Sequence, residues 1–534
     1  MSTPAIPSHT TVLVIGGGPG GAYSSTVLAR DGVEVTLFEA AQFPRYHIGE
    51  SMLPSINAFY AFVGAQDKLR AAGFCPKPGA AVKLQQGKKE AYTNFIERNE
   101  HDASYNVVRS ELDEILLRHS QEAGTAVFEQ TRVTDIVFDE KAPESDPRPI
   151  GANYVRNGTT GYISFDYLVD ASGSKGLMST KYLKNRKMNQ TLHNIACWGY
   201  WSGQGMYMPG TYRHNAPWFE ALSDESGWAW FIPLHNGTVS VGFVMDKAIS
   251  IQKKADLREK DPEAFSLKAH YLDQMQYTPG LRELLKNATM KDGDLEGSGP
   301  VKSTSDFSYS ASNYAGDHYR LVGDAACFID PFFSSGCHLA HLGGLSAAMT
   351  ICASLRKHCT EAQASHWHDT KVATSYTRFL IVVLSAYKQI RSQVNNILSD
   401  VDEDNYDRAF DFFRPVIQGT ADVGKKLTED ELQKTIEYCT NIFLPGDPEL
   451  RESVGERIGV EMLSNTQPIM SMDEMEKITG GEEDAMMALK QVNARKPLVG
   501  LYGALDSMKS ENIGGLVAVL TRGQMGLSVA EPAT

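Results

Sequence analysis

The period of the hydrophobic positions changes along the chain, and each change marks an element. Residues 10–15 form an unbroken β-branched and apolar run, the pattern of a strand buried on both faces. Residues 33–38 read as a second strand that ends at Glu39. Between the two lies Gly16-Gly17-Gly18-Pro19-Gly20-Gly21, followed by small residues with Ala22, Val27 and Leu28 in helical order. Leu112, Ile115, Leu116 and His119 set out an amphipathic helix after Arg109. Further strands are predicted within 80–95, 165–170, 192–203, 226–246 and 319–322. Residues 247–290 are charged and helical, broken at Pro262 and Pro279, and 139–150 read as an exposed loop. From about 361 onward the pattern is helical, interrupted at Pro415 and at Pro445-Gly446-Asp447-Pro448. The apolar stretch 379–387 is too short to cross a membrane and reads as a buried helix.

The first strand–turn–helix–strand unit has the parts that a dinucleotide pyrophosphate needs. Gly16 makes the tight turn, Gly18 lets the backbone approach the phosphates, Gly21 lets helix pack on strand, and the helix N-terminus offers the positive end of its dipole. Glu39, 23 positions after Gly16, is set to take ribose hydroxyls. GxGxxG alone is a weak signal; here strand, helix, second strand and terminal acid follow in order. Two later strands end in a carboxylate beside small residues, Asp170-Ala171-Ser172-Gly173 and Gly323-Asp324-Ala325-Ala326. Together with Arg109, which alone would be a solvated helix-start residue, they resemble the FAD-binding proteins of the aromatic hydroxylase (flavin monooxygenase) class. That resemblance implies an α/β fold with a Rossmann-like FAD domain and with Arg109 and Asp324 at the flavin. The expected organisation is a discontinuous FAD domain over 1–360, with a substrate-facing sheet inserted at about 80–105 and 190–300, and a mostly helical region over 361–534.

Charge and cysteine usage narrow the partners. The 534 residues carry 51 basic and 65 acidic side chains, a net charge of −14, with no basic stripe, so nucleic acid is not an expected partner. No run of eighteen apolar residues occurs, so no membrane span is expected. The first strand begins at residue 10, leaving no room for a signal peptide, and Pro532-Ala533-Thr534 is no peroxisomal address. Seven cysteines, at 75, 197, 327, 337, 352, 359 and 439, are an odd number without CxxC and read as reduced, mostly buried thiols of a cytosolic protein. No metal centre is expected.

Two motifs point to a chemistry. In Trp228-Ala229-Trp230-Phe231-Ile232-Pro233, strand alternation puts Trp228, Trp230 and Ile232 on one face and Ala229 and Phe231 on the other, with Pro233 stopping the pairing. In isolation this is an aromatic core patch; between flavin motifs it becomes a rigid wall over the cofactor. Phe328-Ile329-Asp330-Pro331-Phe332-Phe333-Ser334-Ser335-Gly336 runs into a helix-like stretch at 338–349, so the N–H groups of Ser335, Gly336 and Cys337 are unpaired at the positive end of a helix. Such a nest suits a halide, or the charge of a reduced flavin; the plain alternative is a Pro-Gly loop capping a helix. The complete matches to WxWxIP and FxxPxxSxG resemble the flavin-dependent halogenases. The runs 44–55 and 228–234 are most similar to the fungal halogenases of phenolic polyketides and related aryl natural products.

The resemblance implies the rest of the scheme. FAD would arrive reduced, as FADH2, from a separate NAD(P)H flavin reductase. Chloride and molecular oxygen would be co-reactants. Trp228, Trp230 and Pro233 would keep the small aromatic substrate off the flavin, so that halide is oxidised to hypohalous acid. Arg45 and Ser51 fall in the family's loop over the flavin, Pro331 and Gly336 border the cofactor, and Ser335, Gly336 and Cys337 border the halide. Lys77, after Gly73-Phe74 and before Gly79-Ala80, matches the family's catalytic lysine; Lys83 is its competitor, although alternation with Val82 and Leu84 makes it a solvated charge on an edge strand. An ammonium polarises hypohalous acid and a free amine carries halogen, whereas arginine does only the former. Tryptophan halogenases have a glutamate before the Ser-Thr of this loop. Phe333 stands there here, which argues against free tryptophan; with the resemblance of 44–55 and 228–234 it implies a phenolic, resorcinol- or orsellinate-like ring, and whether that ring is free or carrier-bound stays open. The base that takes the ring or phenolic proton stays open, and His338 and His341 read as structural. Two alternatives remain: a single-component NADPH-dependent flavin hydroxylase, which needs neither WxWxIP nor Lys77, and a non-catalytic FAD-binding scaffold.

Overall fold

Strand β1 (His9–Ile15) pairs in parallel with strand β2 (Val35–Phe38) on one side and with the strand Thr159–Asp170 on the other. Ala126–Phe128 continues the parallel sheet beyond β2, and Tyr319–Leu321 continues it beyond Thr159–Asp170. A strand covered on both faces sends alternate residues into different cores. Val12 and Val14 share one core with residues of helix α1 (Pro19–Arg30) and of the helix Gly336–Leu355, while Leu13 and Ile15 share another with Trp228 and Trp230. The expected exposed loop joins the antiparallel strands Thr131–Phe138 and Pro149–Arg156 at one margin of this sheet. The computed structural model describes residues 5–392 and 448–530 apart from 98, 144, 294–298, 465, 466, 468, 469 and 503; Pro415, Cys439 and 445–447 lie outside the described residues.

A second sheet covers the first. Its order is Thr289–Met290, Asn194–Ser202, Thr238–Asp246, Gly227–Pro233, Trp218–Ala221, Gly79–Lys83 and Ala91–Asn94, with Lys302–Ser305 beside Asn194–Ser202. The tryptophan strand Gly227–Pro233 is therefore central, antiparallel to both neighbours and buried throughout. Trp228, Trp230 and Ile232 face the core below β1, and Ala229 and Phe231 face a separate core on the outer side, as alternation predicts. Pro233 does not stop the pairing: it lies opposite Val239, and Leu234 N–H still donates to Thr238 O at 2.9 Å. Residues 247–285 form the helices Lys247–Lys260, Leu267–Asp273 and Pro279–Leu285, with their breaks at the predicted prolines.

The stretch 379–387 is buried inside the helix Glu361–Ile390, which opens on a Thr360–Gln363 capping box. Among the described residues, the helix that is long and apolar enough to cross a membrane is instead Gly336–Leu355, and it is largely buried inside the protein. It contains the helix-like stretch expected at 338–349 and extends it to Leu355, with Gly, Ser and Ala between its larger apolar residues. The C-terminal part, expected to be mostly helical, also contains strands. It ends in a hairpin, Leu516–Val519 with Gly526–Val529, whose Leu516, Ala518 and Leu527 enter the same core as α1. Trp367 Nε1 donates to Leu516 O at 3.2 Å, tying this hairpin to the long helix.

Candidate active site

A cavity of about 980 Å³ is lined from both sheets, at the upper end of the range for small-molecule and cofactor sites. Its first end is the glycine turn. Gly16 has φ +103°, and a Cβ there would lie 2.2 Å from Ala171 O; a Cβ on Gly21 would lie 1.9 Å from Gly16 O. Helix α1 starts from Gly18 with no side-chain cap, so the amides of its first turn are left for a ligand. Glu39 lines the cavity and also closes the turn: its Oε2 accepts Gly17 N–H at 2.6 Å and its Oε1 accepts Ala41 N–H at 2.7 Å. The two late carboxylates part company. Asp170 is consumed by the backbone, accepting from Ser172 N–H at 3.0 Å and Met178 N–H at 2.7 Å, whereas Asp324 lines the cavity. Burial pushes Asp324 up to about 6, against the lowering effect of the Arg109 and Arg186 guanidiniums.

Arg45, Ser51 and Arg109 also line the cavity. Arg109 is buried, donating to Asp113 through Nε at 2.9 Å and Nη2 at 3.0 Å, and to Ile48 O at 2.8 Å through Nη1. Arg45 donates to the same Asp113 at 3.0 Å. One buried carboxylate thus holds two arginines beside the loop that carries Ser51. Asp113 was not foreseen in the sequence; its i,i+4 spacing from Arg109 on a helix was the available signal. Ser51 Oγ is buried without a partner among the described residues.

The opposite end joins the tryptophan strand to the loop before Gly336–Leu355. Trp228, Trp230 and Ile232 line the cavity together with Pro331, Ser334, Gly336 and Cys337. Pro233 is buried but is not among the lining residues. Phe219, on the adjacent strand, and Trp198, two strands away in the same sheet, were singled out by no motif and extend the aromatic wall. Ser334 takes a left-handed conformation, φ +55°, which turns the chain from Pro331–Phe333 into the helix. Ser335 O accepts Leu339 N–H at 2.9 Å, so the first-turn amides of Gly336 and Cys337 have no acceptor within the helix. Ser335 itself is buried, outside the cavity lining, and its Oγ has no partner among the described residues. His338 and His341 behave as structural groups. Nδ1 of His338 is 2.7 Å from Ser55 Oγ and Nδ1 of His341 bonds Cys337 O; burial lowers them to about 3 and about 4.

Lys77 is not part of this cavity lining. It ends the strand Cys75–Lys77, opposite Ser104 in a two-stranded pair, and is 1% exposed. Its Nζ donates to Met52 O at 2.8 Å, one residue past cavity-lining Ser51, and sits 5.2 Å from the Phe95 ring centre. Burial lowers its ammonium to about 7. Lys83 is half-buried, opposite Glu220, and its strand is not at the sheet edge but pairs on both sides, with Trp218–Ala221 and Ala91–Asn94. Glu50, unremarked in the sequence, lines the cavity with Oε1 accepting from Tyr200 Oη at 2.6 Å, and burial raises it to about 7.

These features fit a flavin dinucleotide: glycines that admit no side chain, an uncapped helix start, Asp324 in the wall and an unpartnered Ser51 hydroxyl. Comparisons with known proteins agree. The tryptophan halogenase family model matches residues 11–104 and 81–395. The flavin-dependent halogenase armH4 of Armillaria mellea is 54% identical over 529 residues, covering 98% of each chain. The flavin-dependent halogenase ascD of Acremonium egyptiacum is 46% identical, covering 99% of this chain and 94% of its own. Among solved structures, the myxobacterial chondrochloren halogenase CndH superposes with a TM-score of 0.65 at 26% identity, over 82% of this chain and 98% of its own. With a glycine turn, aromatic wall and helix-start loop gathered on one cavity, and with relatives of this similarity end to end, the chain belongs to the tryptophan halogenase family and is a flavin-dependent halogenase.

Proposed function

We propose that the protein uses reduced FAD, dioxygen and chloride or bromide to halogenate an electron-rich phenolic ring, with Lys77 delivering the halogen. The observation that carries this is a separation: the tryptophan wall and the loop amides of Gly336 and Cys337 face the flavin cavity, while Lys77 lies outside its lining with its Nζ on Met52 O. Reduced FAD, when bound, activates dioxygen so that a halide is oxidised to hypohalous acid. The glycine turn, Glu39, Arg45, Ser51, Arg109 and Asp324 hold and orient the cofactor. The amides near Ser335, Gly336 and Cys337 hold the halide as a partial positive charge, without a size-matched cage. Trp228, Trp230 and Ile232 exclude the organic ring from the flavin. A lysine lowered to about 7 supplies both useful forms near neutrality, an ammonium that donates to hypohalous acid and an amine that carries halogen.

A phenol rather than tryptophan is supported by Phe333, where a carboxylate would otherwise accompany the lysine. Phe333 packs against Phe379 with ring centres 6.3 Å apart, which makes that position apolar. A separate flavin reductase supplies FADH2. The test is a reductase-coupled reaction with FAD, chloride and a panel of phenols and tryptophan, read by mass spectrometry for the chlorine isotope pattern. A chlorinated phenol is expected, and a brominated one when bromide replaces chloride. Rapid anaerobic bleaching of FAD by NADPH without any reductase would instead mark a single-component hydroxylase.

A further inference from the structure

The wall and the halide loop are joined behind the cavity by a buried hydrogen-bond hub. Trp228 Nε1 donates to Tyr387 Oη at 2.8 Å, and Tyr387 Oη donates to Asp330 Oδ2 at 2.7 Å. Asn194 Nδ2 donates to both, at 2.9 Å to Asp330 Oδ2 and 2.8 Å to Tyr387 Oη. The other oxygen of Asp330 accepts Phe332 N–H at 3.2 Å, which shapes the turn leading to Ser334 and Gly336. The Phe332 ring meets Trp228 edge-on, with centres 5.0 Å apart at 85°. Asn194, Asp330 and Tyr387 are each 3% exposed or less, and none lines the cavity. Trp228 and the loop residues Pro331, Ser334 and Gly336 do line it. Four segments far apart in the chain therefore meet at one hydroxyl. A buried polar network of this kind has few alternative arrangements, because displacing one member leaves the others unpaired.

We propose that Tyr387, with Asp330 and Asn194, is a positioning hub that locks the Trp228 indole to the halide loop, so that halide affinity and exclusion of the ring from the flavin depend on one shared contact. The proposal rests on the assignment of the halide to the loop amides. Tyr387→Phe removes one hydroxyl and keeps the ring. In the FAD-loaded enzyme with flavin reductase and a phenol that it chlorinates, the variant raises the apparent KM for chloride roughly 10-fold and diverts more reductant to hydrogen peroxide. FAD affinity stays within about twofold, since the residue lies away from the dinucleotide end.

A second readout needs no turnover. In apoprotein whose six tryptophans are replaced by 5-fluorotryptophan, the Trp228 resonance, assigned with Trp228→Phe, shifts when bromide is added to the wild type. In Tyr387→Phe it starts from a different position and its bromide response is lost. A variant that keeps the wild-type chloride KM, the wild-type peroxide share and a bromide-responsive Trp228 overturns the hub, even if its melting temperature falls. Should Tyr387→Phe not fold, Asp330→Asn retains one acceptor oxygen and is expected to move the same readouts less; wild-type values in it overturn the hub equally. A wild-type protein that forms no halogenated product and shows no bromide response refutes the halide assignment itself. A responsive wild type with an equally responsive variant refutes only the hub.

Discussion

The two ends of the cavity are built by different means. At the glycine end, the contacts are made by backbone or by side chains close in sequence: Glu39 reaches Gly17 and Ala41, 22 and 2 positions away. At the tryptophan end, Trp228 is held by Tyr387 159 positions away, and Asp330 by Asn194 136 positions away. The first end is a local motif that a short stretch of chain can specify. The second exists only after the long helix, the second sheet and the loop have come together. The contrast predicts that cofactor binding and the proposed halide handling are separable, so that damage to one end should leave the other standing.

The largest effect is expected at the glycine end. Gly21→Ala puts a Cβ within 1.9 Å of Gly16 O and should weaken FAD binding by about 100-fold or more, measured by flavin titration, with the circular dichroism of the fold retained. Near-normal FAD affinity in this variant would break the contrast, because the turn would then tolerate what its geometry forbids. Lys77→Ala comes next. Product formation should drop by at least about 100-fold with FAD affinity unchanged, while Lys83→Ala alters turnover by less than about twofold. If the two lysines exchange phenotypes, Lys83 is the halogen carrier.

Trp230→Ala probes the wall alone. Its indole donates to Ser240 Oγ at 3.1 Å and lines the cavity, so its loss should cut the ratio of halogenated product to peroxide by about 10-fold and lower thermal stability, with FAD still bound. Loss of FAD instead would mean that the two ends are not separable. The smallest effect is a pH dependence of stability. The folded pKa of Lys77 is lowered to about 7 from 10.5, so between these values the unfolded chain binds the extra proton and stability rises with pH. Lys77→Met should therefore raise the melting temperature by a few degrees at pH 7 and progressively less toward pH 10. An equal gain at both pH values would show that the ammonium is not desolvated as described.

Much of the cofactor end was legible in the chain because its physics is local. A glycine at φ +103°, an uncapped helix start and an acid at the end of β2 leave their signature within 31 consecutive residues, 9–39. Alternation likewise assigned Trp228 and Trp230 to one face, since strand periodicity does not depend on what lies opposite. The terminal hairpin was less legible. Its strands are four residues each, too short for alternation to outweigh the helical pattern before them.

What the sequence by itself determined is the set of parts: a dinucleotide turn, an aromatic strand, a helix-start loop and a lysine between two glycine-bearing segments. Only the tertiary structure decided how those parts are used. It chose Asp324 over Asp170 for the cavity, because Ser172 and Met178 amides occupy the latter. It buried Lys77 against Met52 O and Phe95, which lowers its ammonium in a way that no flanking residue encodes. It brought Tyr387 to Trp228 and Asp330. Desolvation and long-range hydrogen bonds depend on which segments end up as neighbours, and that is a property of the packed molecule rather than of any stretch of chain.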